Sequence, residues 1–282
     1  MLLQGQLLSE TELKRELQAF LNDSITWQQA DQRKVIHSML VHIGTVDSEL
    51  RDGLIYGTFY TMILEKNLLD HAILNDTFDY CLTNLLCKGI GENHTDSVFT
   101  RTFTSLLIAL ILTRDNEDDF LEAYKIEELT NKVMAYLDAE KDVRGYVPGK
   151  GWAHSVAHVS DLVDELVQNA KFNKASYIAI LRPLLNMLLQ TDYAFIHDED
   201  ERLLAPLFTM LERGLPQQEV ITLLNETMAT LSAQKEQQDV QHYRILRFNW
   251  KTLLKSFYIL TADRPQYKAL HQSIKDCLNI DK

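Results

Sequence analysis

The sequence predicts an all-α protein, built of antiparallel helix pairs stacked side by side as an irregular HEAT-like α-solenoid or bundle. Three observations carry this expectation. Apolar residues recur at three- and four-residue spacing along almost the whole chain. Glycine (10) and proline (5) are scarce in 282 residues and no proline precedes Pro148, whereas strand-and-turn folds need both at their many turns. No segment shows a convincing alternation of apolar and polar residues of the kind a half-buried strand requires.

The elements follow in order. Ser9-Glu-Thr-Glu12 has capping-box spacing and leads into the stripe Leu13, Leu17, Phe20 and Leu21. A second helix runs through Val35, Met39, Leu40 and Ile43 to about Gly44, and Asp47 or Ser48 caps a longer one carrying Leu50, Leu54, Ile55, Phe59, Met62 and Ile63. Asp76 opens the next, which Gly89-Ile-Gly91 stops. An unusually apolar helix from Val98 to about Leu112 is expected at the centre. Shorter patterns at Phe120–Tyr124 and Ile126–Leu137 follow, and the pattern then breaks at an irregular loop, 141–151. Helices resume at Trp152–Ala170, Tyr177–Leu189, Glu199–Leu211, Gln217–Leu231, Val240–Leu260 and Pro265–Leu278. Pro206 is expected to kink its helix or shift its start, and Asp263 with Pro265 to cap the last one. The loop is too short for a linker, so one domain over 1–282 is expected.

Composition narrows the function classes. Forty acidic against 28 basic residues give a net charge of −12, which disfavours a generic nucleic-acid or anionic-membrane binder. Cys81, Cys87 and Cys277 are odd in number and lack metal or redox spacings, so they read as free thiols of a reducing cytoplasm. Met1–Leu8 lacks the basic start of a signal peptide, and the longest apolar run, Leu106–Leu112, is short for a membrane span. Common cofactor motifs are missing as well. Gly89-Ile-Gly91 has no third glycine at the dinucleotide-loop position, and Gly149-Lys150 is followed by Gly151 where a P-loop needs Ser or Thr.

One dense polar constellation stands out, Gly151-Trp-Ala-His-Ser-Val-Ala-His-Val-Ser-Asp161. At about 100° per residue, His158 falls near about +40° from His154, Asp161 near about −20° and Glu165 near about +20°. This stripe is expected to point away from the core face of Val159, Leu162, Val163 and Leu166. Two histidines one turn apart and a carboxylate one turn on suit a divalent ion such as zinc, manganese or iron, so His154, His158 and Asp161 are candidate metal ligands. A fourth group is available from Asp164, from the loop, or from His197-Asp-Glu-Asp-Glu201. The alternatives are a metal-free His–Asp acid–base couple and plain hydrogen bonding between a histidine and an aspartate on a solvated helix face.

Other groups have similar double readings. Arg51-Asp52, Arg101 and Arg144 suit an anion clamp, or ion pairs that tie neighbouring helices together. Glu140 and Asp142 enter the loop beside them. Glu201 and Arg202 belong to an acidic first helical turn, where carboxylates also complement the helix dipole. Tyr146 and Trp152 suit an aromatic wall, with Trp152 alternatively a core plug.

The segments Ser48-Glu-Leu-Arg-Asp52, Ile90-Gly-Glu-Asn-His94 through Phe103, Glu140 through Arg144-Gly-Tyr146, Gly151-Trp-Ala-His154 with Ala157-His158 and Asp161-Leu162, and Glu199-Asp-Glu-Arg-Leu203 carry a resemblance. Together they resemble uncharacterised bacterial proteins catalogued as domain of unknown function 2785. The resemblance implies a bacterial cytoplasmic helical protein, brings no activity with it, and suggests that arginines and acids from separate helices converge on one surface.

Two functions therefore stay open. One is a binding module whose polar groove takes a peptide, a protein or a small anionic ligand. The other is a metal-dependent hydrolase using the His154, His158 and Asp161 helix. A helical-repeat scaffold favours the first; the density of titratable groups favours the second.

Overall fold

The computed structural model describes residues 7–279. Most of the segment read for a leader, Met1–Leu8, lies outside the described residues. Among them are twelve α-helices and one two-stranded pair, an all-α fold of packed helices.

α1 (Glu10–Leu21) opens with the expected reciprocal cap: Glu12 N–H donates to Ser9 Oγ, and Ser9 N–H donates to the Glu12 carboxylate at 2.9 Å. α2 (Gln32–His42) ends beside Gly44, where a Cβ would stand 2.0 Å from the Thr100 hydroxyl oxygen, so glycine lets the chain touch its neighbour there. Asp47 Oδ1 accepts from Leu50 N–H at 3.1 Å and starts the next rod. Its α-helical centre, α3 (Gly57–Tyr60), is flanked by π-helical turns at Glu49–Tyr56 and Thr61–Glu65, which apolar spacing alone does not reveal. α4 (His71–Tyr80) starts at Asp70, not Asp76, because Asp70 Oδ1 takes the Ile73 N–H at 2.8 Å.

α5 (Ser97–Asp118) runs past Leu112 by six residues. It stops where Asp119 turns left-handed and the buried Asp115 Oδ1 accepts the N–H groups of Phe120 and Leu121 at 2.8 and 2.6 Å. Phe120 consequently lies in a turn rather than in a short helix of its own, and α6 (Ala123–Ala139) is continuous. Among the described residues α5 is the one helix long and apolar enough to cross a membrane, and most of it is buried in the fold.

The 141–151 loop contains a small hairpin, β1 (Tyr146–Val147) antiparallel to β2 (Gly151–Trp152), which periodicity does not announce. Then come α7 (Ser155–Gln168), α8 (Tyr177–Asn186), α9 (Glu199–Glu212), α10 (Gln217–Gln234), α11 (Val240–Thr261) and α12 (Lys268–Asn279). α9 passes through Pro206 without a shifted start, and Arg264 rather than Asp263 holds the cap position before Pro265. α5, α7, α9 and α11 pack in succession, α6 packs on α8, and α12 closes against α10 and α11. One apolar cluster runs through these layers from Leu13 to Cys277.

Candidate functional site

The loop between α6 and α7 is the centre of the polar structure. Arg101, wholly buried on α5, grips Glu140 through Nε at 2.5 Å and Nη2 at 2.7 Å, and Glu140 Oε1 also takes the N–H groups of Lys141 and Asp142. Arg144 reaches back to both oxygens of buried Asp142 at 2.7 and 2.6 Å and to the Thr95 carbonyl at 2.8 Å. Ser155 Oγ donates to the Asp142 carbonyl and fixes the loop to the first residue of α7.

Arg51 closes the other end of the loop. Its guanidinium donates to the carbonyls of Thr45 and Lys150, both at 2.7 Å, and lies over the rings of Phe99 and Phe103 at 4.2 and 4.8 Å. Its Nε stands 2.8 Å from Asp52 Oδ1, a charge contact without hydrogen-bond angles. The expected arginines thus converge, as the ion-pair reading allows, on the loop itself. None of the three holds a free guanidinium ready for an anion.

The His/Asp helix differs from its expected geometry. His154 is not the first residue of a helical stripe; it precedes α7 in the left-handed region, at φ 50°. Its ring is therefore set by the hairpin and not by the α-helical phase. It stacks on Trp152 with centroids 4.6 Å apart and donates through Nε2 to the His197 carbonyl at 3.1 Å. His158, expected to point away from the core into solvent or a groove, is buried because α7 is sandwiched between α5 and α9. It meets the Phe103 ring edge-on, and its Nδ1 has no partner. Asp161 gives both oxygens to Arg202 of α9, while Asp164 is held by Thr209 and Glu165 by Asn116. Among the described residues no three His, Cys, Asp or Glu side chains gather to hold a metal ion, so His154, His158 and Asp161 do not form the expected ligand set. Trp152 likewise is no core plug: its ring is exposed and meets Tyr146 edge-on at 5.1 Å.

What does form is an open cleft of about 640 Å³ between the hairpin and the start of α9. Trp152, His154, Ile196, His197, Asp198, Glu201, Arg202 and Ala205 line it. Behind the two imidazoles stands Glu199, only 1% exposed. Its Oε2 accepts the His197 N–H at 2.8 Å, but its Oε1 has no hydrogen-bond donor and faces His154 Nε2 at 3.6 Å and His197 Nδ1 at 3.7 Å. Burial alone raises the Glu199 carboxyl; the His154 contact and the backbone N–H groups of His197 and Glu199 outweigh it and hold the carboxyl below its ordinary value. Close packing here requires Gly145, where a Cβ would come 2.5 Å from His197 Nδ1.

Sequence reasoning reads His197-Asp-Glu-Asp-Glu201 as a reserve of carboxylates and takes Glu201 with Arg202 into the groove. It missed Glu199 as the buried member, Ile196 on the rim, and Asn249 of α11, which holds the approach to His197 through the Phe195 N–H at 3.0 Å and the Tyr193 carbonyl at 2.9 Å. The acidic run was the only legible signal. Which of its carboxylates turns inward depends on the left-handed turn at Asp198, φ 63°.

The family profile described as "Protein of unknown function (DUF2785)" matches residues 86–259, more than half of the chain. The chain belongs to that family. The match takes in the whole cleft and the Arg101–Glu140 and Asp142–Arg144 pairs, whereas Arg51 and Asp52 lie before it. No curated protein and no solved structure matches the chain.

The buried imidazole makes a pH prediction for this family member. Burial pushes His158 well below its ordinary value of 6.5, with His154, Arg202 and Arg51 adding to the effect and the Thr102 backbone opposing it. On acidification the unfolded chain therefore takes up this proton before the folded one. Stability due to His158 is complete above pH 6.5 and is lost as pH falls below it, with a slope approaching about 1.4 kcal/mol per pH unit. Urea titrations of wild type and His158→Gln across that window should diverge, the variant showing the flatter dependence. Parallel curves would mean that His158 is solvated.

Proposed function

We propose that this protein is a binding module for a protonated basic group, the ammonium or guanidinium of a peptide or protein partner, received in the cleft between the hairpin and α9. The observation that carries the reading is the unmatched Oε1 of buried Glu199 behind His154 and His197. A buried anion with one oxygen lacking a donor favours a positive charge nearby. Since His154 Nε2 donates inward, its Nδ1 is the ring nitrogen left to accept a hydrogen bond from a cationic donor.

The rest of the cleft agrees in sign. Asp198 and Glu201 line it without side-chain partners among the described residues, and the Arg202 charge is already met by Asp161. The surplus is negative, which favours a cation over the anionic ligand. Trp152, 37% exposed beside the stacked His154, supplies an indole to which a cation is attracted. A cytoplasmic setting goes with this reading, since Cys81, Cys87 and Cys277 are all free thiols.

Fluorescence tests it directly, because Trp27 and Trp250 are buried and Trp152 is exposed. Titration with N-acetyl-lysine methylamide and N-acetyl-arginine methylamide should give a saturable change that the uncharged citrulline analogue does not. Calorimetry with the same probes should show Trp152→Ala weakening binding about twofold to thirtyfold, the worth of a cation–π contact of about 0.5–2 kcal/mol. Equal responses to charged and uncharged probes, or none to either, would reject the reading.

A further inference from the structure

A second surface lies on the other helix that reaches this region. Along α11, Val240, Arg244, Phe248, Lys251, Lys255 and Ile259 follow one another at spacings of four, four, three, four and four, which places them on one face. All six are exposed, with Val240 at 71%, Phe248 at 47% and Ile259 at 70%. The opposite face, with Leu246, Trp250, Leu253, Leu254 and Phe257, is fully engaged in the core. The outer face is therefore not needed for folding, yet it leaves Val240, Phe248 and Ile259 exposed among its cations. At its N-terminal end, Val240, Ile245 and Phe248 with Ala194 and the stem of Arg244 border an open groove of about 620 Å³.

Charge identifies what fits. α11 contains no acidic residue, in a chain whose net charge is −12. Arg244, Lys251 and Lys255 make no ion pair among the described residues, unlike the arginines around the 141–151 loop. We propose that this face of α11 docks an acidic segment of a partner protein, with a leucine or phenylalanine seated between Val240, Ile245 and Phe248 and carboxylates meeting Arg244, Lys251 and Lys255. Apolar anchors in a groove supply the affinity, and the complementary charges set register and on-rate.

The same pattern argues against other occupants. An interfacial membrane helix separates its apolar and basic residues onto two faces, whereas here they are interspersed along one stripe and leave no apolar face to sink into lipid. A second copy of the chain would set this same basic face against itself in a two-fold pair, where Arg244, Lys251 and Lys255 repel one another. The proposal is independent of the cation-receiving cleft, whose residues lie on the hairpin, at His154, in the 196–198 turn and on α9.

The test uses the full chain and a fluorescein-labelled synthetic peptide in which glutamates flank a leucine and a phenylalanine, beside a counterpart with lysine for each glutamate. Fluorescence anisotropy should show saturable binding of the acidic peptide that weakens with added salt. It should also weaken by about tenfold in Phe248→Ser and in Arg244→Glu. Both positions are exposed, and circular dichroism of the variants should match that of the wild type. Trp152→Ala should leave this binding unchanged, which separates failure here from failure of the cleft. Three results would overturn the proposal: no binding of the acidic peptide, equal binding of the lysine counterpart, or affinity indifferent to both α11 variants. Two others assign the face elsewhere and overturn it equally. These are a concentration-dependent dimer in sedimentation that Phe248→Ser abolishes, and co-sedimentation with phosphatidylglycerol vesicles that the acidic peptide does not displace.

Discussion

Replacing Glu140 by alanine is expected to lower the unfolding free energy by about 3–5 kcal/mol. The Arg101 and Glu140 side chains are both fully buried and joined by two hydrogen bonds, so removing the carboxylate leaves a guanidinium in the interior with only Ser97 Oγ at 2.9 Å as partner. The same deletion orphans the N–H groups of Lys141 and Asp142, which both end on Glu140 Oε1. Much of the loss is the penalty of an unpaired charge. The double replacement Arg101→Met with Glu140→Leu should therefore recover most of it. Urea denaturation of the two single variants and the double variant measures the coupling. A loss below about 1 kcal/mol in Glu140→Ala would mean that the pair behaves as a solvated surface bridge.

The second large effect is expected at Gly151. Its φ of +80° is left-handed, and a Cβ there would stand 2.7 Å from Ser48 Cβ and 3.0 Å from Arg51 Nη2. Alanine thus adds a conformational cost of about 1–2 kcal/mol and an overpacking cost of about 1–3 kcal/mol. Gly149 is the internal control: its φ is +77°, but nothing lies within 4 Å of its Cβ position, so Gly149→Ala carries the conformational cost alone. Thermal melts should rank wild type above Gly149→Ala and Gly149→Ala above Gly151→Ala. Equal effects at the two glycines would show that close packing of Arg51 against the hairpin contributes little. Because Trp152 follows Gly151, the stronger variant should also weaken the binding of the cationic probes.

Much of the helical layout was legible because it depends on local spacing. The Ser9–Glu12 cap, the Asp47 start and the apolar faces of α7 and α11 are set by residues within one or two turns of each other. Reading failed where the deciding partner was another polar group close in sequence but with a competing candidate beside it. Asp70 outranks Asp76 as a cap, and Asp115 reaches over the end of α5 to convert Phe120 into a turn residue.

The site was half legible for the same reason. Sequence by itself determined that this protein is helical, that polar and aromatic residues concentrate at 140–161, and that a second acidic group follows at 197–201. It could not determine which of them are free. Helical phase holds for His154 only if the helix starts at Trp152, as the spacing predicts, and a single left-handed residue removes His154 from that phase. Asp161 looks like a ligand until Arg202, forty-one residues away, takes both its oxygens. Glu199 looks like one more acid in a helical first turn until the packing of Gly145 against His197 shuts it from solvent. Burial and pairing are properties of residues distant in sequence. Only the tertiary structure decides whether a charged side chain is spent on the fold or left to meet a partner, because that choice depends on which opposite charge the packing brings within hydrogen-bond distance.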